Sequence, residues 1–297
     1  MTQDETARDD RSEEPVPEDS TTLPRRQLGR YLREARQAAN MTLEEVAPRM
    51  QWSPSKLSRV EKGLTPNIRV LDVEALCLIY DVDGDLRAAL IGLAQQSTGK
   101  SWWHAFDDLI PRNFDLYVGL ESGARNLTTF RPDMVPGLFQ TPAYASALDQ
   151  LYFPGITPDE IDRRLQLRAR RQALLTRVTV DLVLQEAVLR TVVGGPEVMI
   201  GQLQHLTSQP TTVNVRILPF SAGFPAGIAT GPFVILEFGD DPTVVYVESY
   251  AGDMYLERPT DVKRYRHAYN VIQQKALDVP SSTALLRRVI REFQSER

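Results

Sequence analysis

Between residues 28 and 95 apolar side chains recur every three or four positions in five short bursts, each closed by polar or turn-forming residues. In the first, residues 28 to 39, Leu28, Leu32, Ala35 and Ala39 fall on one stripe, the period of an α-helix. Thr42 is followed three residues on by Glu45, the spacing at which a hydroxyl and a carboxylate cap a helix start reciprocally, so a second helix is predicted over 43 to 50. Ser53 is another good N-cap, with Pro54 behind it at the first helical position, where a missing N–H costs nothing. A third helix therefore runs from 54 to 62 and stops at Gly63. Two more periodic segments follow, at 70 to 80 and at 83 to about 95.

The third helix has two unlike faces. At ~100° per residue, Leu57, Val60 and Glu61 point one way, Ser55, Ser58, Arg59 and Lys62 the other, and Lys56 lies on the flank. An apolar stripe that docks on its own domain, opposite a stripe that hydrogen-bonds bases and neutralises phosphates, is what a DNA-reading helix needs. Ser53, Ser55, Lys56, Ser58, Arg59 and Lys62 are the candidate contacts. A solvated amphipathic helix has the same pattern; the periodic segments on either side argue for the DNA reading.

Residues 28 to 82 resemble the helix-turn-helix of the XRE family, the five-helix domain found in phage repressors. The matching pieces are LxxxR at 32 to 36, TLEEVA at 42 to 47, SPSKLSRVEKG at 53 to 63, and Pro66. The resemblance implies a partly buried ion pair between Arg36 and Glu61. Two positions depart from it: Leu43 stands where many relatives have a phosphate-contacting glutamine, which implies weaker backbone contacts, and Gln51 replaces the usual turn glycine, which implies a wider turn. One such domain reads a short half-site, so a homodimer on a pseudo-palindromic double-stranded operator is expected.

Charge changes the picture only when divided along the chain. The total is −5, which is wrong for a DNA binder, yet residues 1 to 24 hold eight acids and two arginines while residues 25 to 69 hold ten basic residues against four acids. The basic charge is local to the expected reading head. The first 24 residues, acidic, proline-bearing and without an aromatic, cannot bury enough surface to fold and are read as a disordered solubilising tail. A single cysteine, Cys77, falls on an apolar stripe and reads as a buried structural thiol in a reduced compartment. No apolar run approaches the ~20 residues of a membrane helix and no signal peptide is visible, so a cytoplasmic protein is expected.

Beyond residue 96 the pattern changes. Helical spacing is predicted over 101 to 109, 114 to 130, 141 to 151, 157 to 177, 196 to 208, 260 to 277 and 281 to 293. Alternating branched residues predict strands over 179 to 184, 213 to 218, 232 to 238 and 243 to 248. The expected architecture is a mainly α, five-helix XRE helix-turn-helix domain at 25 to 96, followed by an α+β domain with a small sheet at 97 to 297 that serves regulation or partner binding.

Several runs in that second part, WW at 102, ESGARNLTTF from 121, VPGLFQTPAYASAL from 135, LRARRQALLTR from 167, LQEAVLR from 184, VGGPEVMIGQLQHL from 193, VRILPFSAG from 215 and VVYVES from 244, resemble the C-terminal domain of actinobacterial XRE regulators of the WhiJ-like, antitoxin-like group. The resemblance implies a transcriptional regulator, often encoded beside a small partner protein that it binds. Arg168, Arg171 and Gln172 share one long helix, while Glu186, Tyr246 and Glu248 belong to strands or strand ends; together they are the candidate effector or partner site. A solvated, salt-bridged helix face is the plainer reading of the arginines, and packing of helices on the sheet is the plainer reading of the VPGLFQTP turn.

No catalytic constellation is evident. AQQSTGKS at 94 to 101 approximates a phosphate-binding loop, but it follows a helix rather than a buried strand and reads as a linker. His104, His205 and His267 are scattered without metal-ligand spacing. The expectation is a sequence-specific DNA-binding transcriptional regulator, a repressor controlled through its C-terminal domain, without enzymatic activity, cofactor or metal. The alternative is an antitoxin-like protein that silences a small partner and autoregulates its own operon.

Overall fold

The computed structural model describes residues 22 to 65, 67 to 97, 102 to 106, 108 to 109, 114 to 224, 231 to 239, 241 to 249 and 252 to 295. Most of the expected acidic tail, residues 1 to 21, lies outside them. Its last three residues do not: α1 (Thr22–Ala38) begins at Thr22, which is fully buried. Four helices follow, α2 (Leu43–Arg49), α3 (Pro54–Glu61), α4 (Val70–Ile79) and α5 (Gly84–Gln96). The stripes read from the sequence meet in one core, with Leu28, Leu32, Val46, Leu57, Val73, Leu76, Cys77 and Leu90 all but inaccessible. Burial pushes the Cys77 thiol above its ordinary pKa, in keeping with an inert packing role. Of the phosphate-loop-like run, residues 98 to 101 lie outside the described residues; the rest is the end of α5.

The angle of α3 is set by backbone contact. A Cβ added to Gly29 of α1 would sit 2.6 Å from the Val60 carbonyl oxygen and 2.8 Å from the Gly63 nitrogen. Gly63, at φ 67°, ends the helix in the left-handed conformation that glycine takes without cost.

The rest of the chain is built on a six-stranded mixed sheet in the order β3-β2-β1-β4-β5-β6. β1 (Asn126–Arg131), β2 (Thr179–Gln185) and β3 (Val213–Leu218) run parallel, whereas β4 (Phe233–Glu237), β5 (Val244–Val247) and β6 (Met254–Leu256) continue from β1 antiparallel. On one face pack α6 (Phe114–Gly123), α7 (Pro142–Tyr152), α10 (Pro196–Thr207) and α12 (Val279–Ser295), sharing a core that includes Leu120, Leu127, Tyr144, Leu182, Leu203, Leu236 and Leu286, while α8 (Pro158–Gln172) packs Leu167 in a smaller cluster with Trp103, Phe106, Leu109 and Val118. On the other, α11 (Pro259–Lys275) sets Val262, Tyr269 and Ile272 against Phe130, Val183, Phe233 and Val245. Short α9 (Glu186–Arg190) leaves the end of β2.

Two strands escape the alternation rule. The helix expected over 114 to 130 stops at Gly123, and residues 126 to 131 form β1, a central strand. Being paired on both sides and covered on both faces, β1 buries Leu127 and Phe130 in opposite cores and shows no polar face to read. β6, three residues long, is too short for a pattern. A 3₁₀ turn at Trp102–Phe106 stands where a regular helix is expected.

The first helix touches both parts. Thr22 and Leu23 of α1 sit directly on Gly119 and Gly123 of α6, where no side chain larger than hydrogen fits. Arg26 pairs with Glu257 at 2.7 Å, and Gln27 donates to Asp241 at 2.8 Å.

Candidate functional site

The reading head is assembled from local signals. Thr42 Oγ1 accepts the Glu45 N–H at 3.2 Å, and the Glu45 carboxylate accepts the Thr42 N–H at 2.7 Å, which closes the capping box that starts α2. These bonds hold the Glu45 carboxyl below its ordinary pKa. Between α2 and α3 Gln51 adopts φ 55°, so it occupies the left-handed conformation that a glycine would take and the expected wider turn is not needed. For a side chain without an Asn or Asp local bond that conformation costs roughly 1 to 2 kcal/mol. Ser53 Oγ accepts the Lys56 N–H at 3.2 Å and caps α3.

From that cap α3 buries Leu57, Val60 and Glu61 and turns Ser55 and Arg59 to solvent. Ser53 is exposed as well, and Ser58 half-buried. Lys56 is half-buried with its ammonium 4.1 Å above the Trp52 ring, an aromatic contact that fixes its direction. Lys62, the C-cap residue, is exposed and borders the groove between α1 and β6. Among the described residues neither Arg59 nor Lys62 makes an ion pair. Beneath this surface Arg36 grips Glu61 with two bonds, 2.7 and 2.9 Å, and the Met41 carbonyl with a third at 2.7 Å. The side chains keep 11% and 4% of their exposure, and the bonds to Glu61 raise the Arg36 pKa. That clamp ties the C-terminal end of α3 to α1.

A second concentration of polar groups lies in the larger part. A cavity of about 220 Å³ opens between the sheet, α6, α8 and the 134 to 140 loop. Of the six residues expected to share a pocket, Arg168, Arg171, Tyr246 and Glu248 line it. Gln172 and Glu186 do not. The Gln172 amide donates to the Gly137 and Gln140 carbonyls and holds the loop from behind; the Glu186 carboxylate accepts from Arg190 and the Phe220 N–H at the far end of β2. Both are consumed in positioning backbone.

Acids hold the arginines, and of these Glu121, Asp149 and Asp133 are not among the sequence candidates. Arg171 makes a two-bond pair with Glu121 of α6, 2.7 and 2.9 Å, at 9% and 1% exposure. Burial alone would lower the Arg171 pKa; the Glu121 charge outweighs it and the net shift is upward. Arg168 pairs with Asp149 of α7 at 2.7 and 2.8 Å. Arg131, at the end of β1, bridges Asp133 and Glu248. Tyr117 and Tyr246 pack with ring centroids 4.3 Å apart, and burial drives both phenols well above their ordinary pKa. Arg164 of α8 lines the cavity as well. Its signal was available, since Arg164, Arg168 and Arg171 stand at i, i+4 and i+7 on one helical stripe.

Five helices around one core, with a capped helix displaying an unpaired basic face, define a helix-turn-helix DNA-binding regulator. The comparison with family models agrees: a helix-turn-helix domain matches residues 27 to 90. Residues 114 to 288, more than half of the chain, match a domain of unknown function, DUF5753, and the chain belongs to that family. No curated protein and no solved structure matches the chain. Among the described residues no helix is long and apolar enough to cross a membrane.

Proposed function

We propose that the protein is a cytoplasmic, sequence-specific transcriptional regulator of the XRE type, a repressor that binds a pseudo-palindromic operator as a homodimer and is controlled through its WhiJ-like C-terminal domain. The observation that carries this reading is the outward face of α3, where Ser55 and Arg59 are exposed on a helix whose opposite face is locked by Leu57, Val60 and the Arg36–Glu61 clamp. An arginine so placed can donate two bonds to a guanine edge, and Lys62 neutralises a phosphate. We read the second part as a receptor and not as an enzyme, because the two carboxylates that line its cavity among the described residues, Glu121 and Glu248, are engaged by arginines rather than poised as acid or base.

Selection of binding sites from a random duplex pool by the full-length protein tests this reading. Enrichment of two half-sites about one helical turn apart is the expected result; recovery of no motif would overturn it.

A second reading, an antitoxin-like protein that silences a small partner and autoregulates, has its own support. The end of α7 exposes Leu151, Tyr152 and Phe153 side by side, a patch of the kind that protein partners cover. Co-expression with the product of a neighbouring small reading frame tests it: co-purification that fails on Tyr152→Ser supports the antitoxin role, and independent migration of the two chains excludes it.

A further inference from the structure

The cavity between α6, α8 and the sheet carries a chemical specification of its own. Among the described residues, three of its four guanidinium groups are matched to carboxylates, Arg131 to Asp133 and Glu248, Arg168 to Asp149, and Arg171 to Glu121. Arg164 is not. Among the described residues it makes no ion pair, and its Nε is buried without an acceptor. Two acids that feel its charge are committed elsewhere, Glu160 to the cap at Thr157 and Asp108 to Arg163. Its guanidinium stacks 4.0 Å from the Phe153 ring, which holds its orientation.

Gln140 supplies the complementary vacancy. It is 6% exposed, its Nε2 donates to the Val135 carbonyl at 2.8 Å, and its Oε1 is buried with no partner among the described residues. Turning the amide over would set oxygen against the Val135 carbonyl, so the free position must be an acceptor, and a buried acceptor calls for an N–H or O–H. The walls between are aromatic and apolar: Phe114 and Tyr117 stack at 5.2 Å, continuing to Tyr246. Scaling from the ~150 Å³ cavity that holds benzene, 220 Å³ takes about nine non-hydrogen atoms.

We propose that this cavity is a receptor site for a small flat aromatic carboxylic acid bearing one ring hydroxyl or N–H, with the carboxylate on Arg164, the ring among Phe114, Tyr117 and Tyr246, and the donor on Gln140. The consequence for DNA runs through α6. Phe114, Tyr117 and Glu121 face the cavity, while Gly119 and Gly123 of the same helix carry α1 of the reading head on their other side. A ligand that shifts α6 moves α1 with it, and so favours one orientation of α3. This coupling rests on the DNA-binding reading above; the binding itself does not.

The test uses the full-length protein and four probes: 4-hydroxybenzoate, its neutral amide 4-hydroxybenzamide, unsubstituted benzoate, and the cation benzamidine, each titrated by calorimetry with melting temperature as a second readout. 4-Hydroxybenzoate is expected to bind at least tenfold more tightly than the amide or benzoate, and benzamidine not to bind. Arg164→Gln, on a half-buried side chain, is expected to leave the melting temperature of the free protein unchanged and to abolish the preference for acid over amide. Gln140→Met is expected to abolish the preference for the ring hydroxyl. Equal binding of acid and amide, an Arg164→Gln variant with the preference intact, or no heat and no melting shift with any probe at millimolar concentration would each overturn the site. Affinity of the unliganded protein for its selected duplex reports separately on DNA reading. A liganded protein with unaltered DNA affinity would overturn the coupling through α6.

Discussion

Arginine does opposite work in the two parts of this molecule. In the reading head Arg59 and Lys62 stand exposed and, among the described residues, without carboxylate partners, so their charge is available to DNA. In the sheet-containing part Arg131, Arg168 and Arg171 are largely buried and each is spent on an acid from another element. The difference lies in what surrounds the side chain. A guanidinium that loses its water must find a carboxylate in good geometry, and once it has done so it shapes a cavity rather than attracting a polyanion. The Arg36–Glu61 clamp shows the buried mode at work inside the head itself, holding in place the helix that carries the exposed one.

The largest expected effects come from breaking buried pairs. Glu121→Ala leaves Arg171 as an uncompensated buried charge, and Glu61→Ala does the same to Arg36. Each should destabilise its own part by about 3 to 5 kcal/mol, seen as a lowered melting transition in calorimetry. Arg59→Ala should leave both parts unmoved. If Glu121→Ala melts like the wild type, the pair is solvated and the contrast collapses.

Backbone contact ranks next. Gly29→Ala drives a methyl group into the Val60 carbonyl, and the resulting shift of α1 against α3 should cost about 1 to 3 kcal/mol. Denaturant unfolding of that variant at wild-type stability would show that the two helices do not meet there. In the opposite direction, Gln51→Gly relieves the left-handed strain of the turn and should stabilise the head by roughly 0.5 to 1 kcal/mol after the entropy of glycine is subtracted.

The smallest effect separates the parts by pH. Burial lowers the His205 pKa on α10 below 6.5, so the unfolded chain takes up a proton before the folded one does. Its stabilising contribution is complete above pH 6.5 and is lost as pH falls from there through the folded value. The reading head has no histidine. The melting temperature of the full chain should therefore decline between pH 7 and 5, and His205→Gln should shrink that decline; an identical decline in the variant would exclude His205 as its source.

How much of this was legible in the sequence follows from the range of each signal. The head is written in contacts three or four residues long: the Thr42–Glu45 box, the Ser53 cap, the stripe from Leu57 to Glu61. All five helices could be placed from them. The Arg36–Glu61 pair, spanning 25 residues, was reachable only through family resemblance. The cavity was half visible. Arg168 and Arg171 stood out on their helix, but Glu121 lies 50 residues from its partner, and Arg131 lies 117 from Glu248. Those distances close only when β1 takes the centre of the sheet, and β1 hides from pattern reading because both of its faces are buried. Gln172 and Glu186 had the right chemistry and the wrong address, each bonded to backbone outside the cavity.

The most direct test of the central claim, that α3 reads DNA through Arg59, is a titration of the selected duplex by wild type and Arg59→Ala at several salt concentrations. Arg59→Ala is expected to lose ~1 to 3 kcal/mol on the selected site and most of its preference over scrambled duplex. Lys62→Ala, run beside it, should weaken both duplexes alike and flatten the salt slope by about one unit. Wild-type affinity and preference in Arg59→Ala, with the protein folded, would remove α3 from the DNA interface.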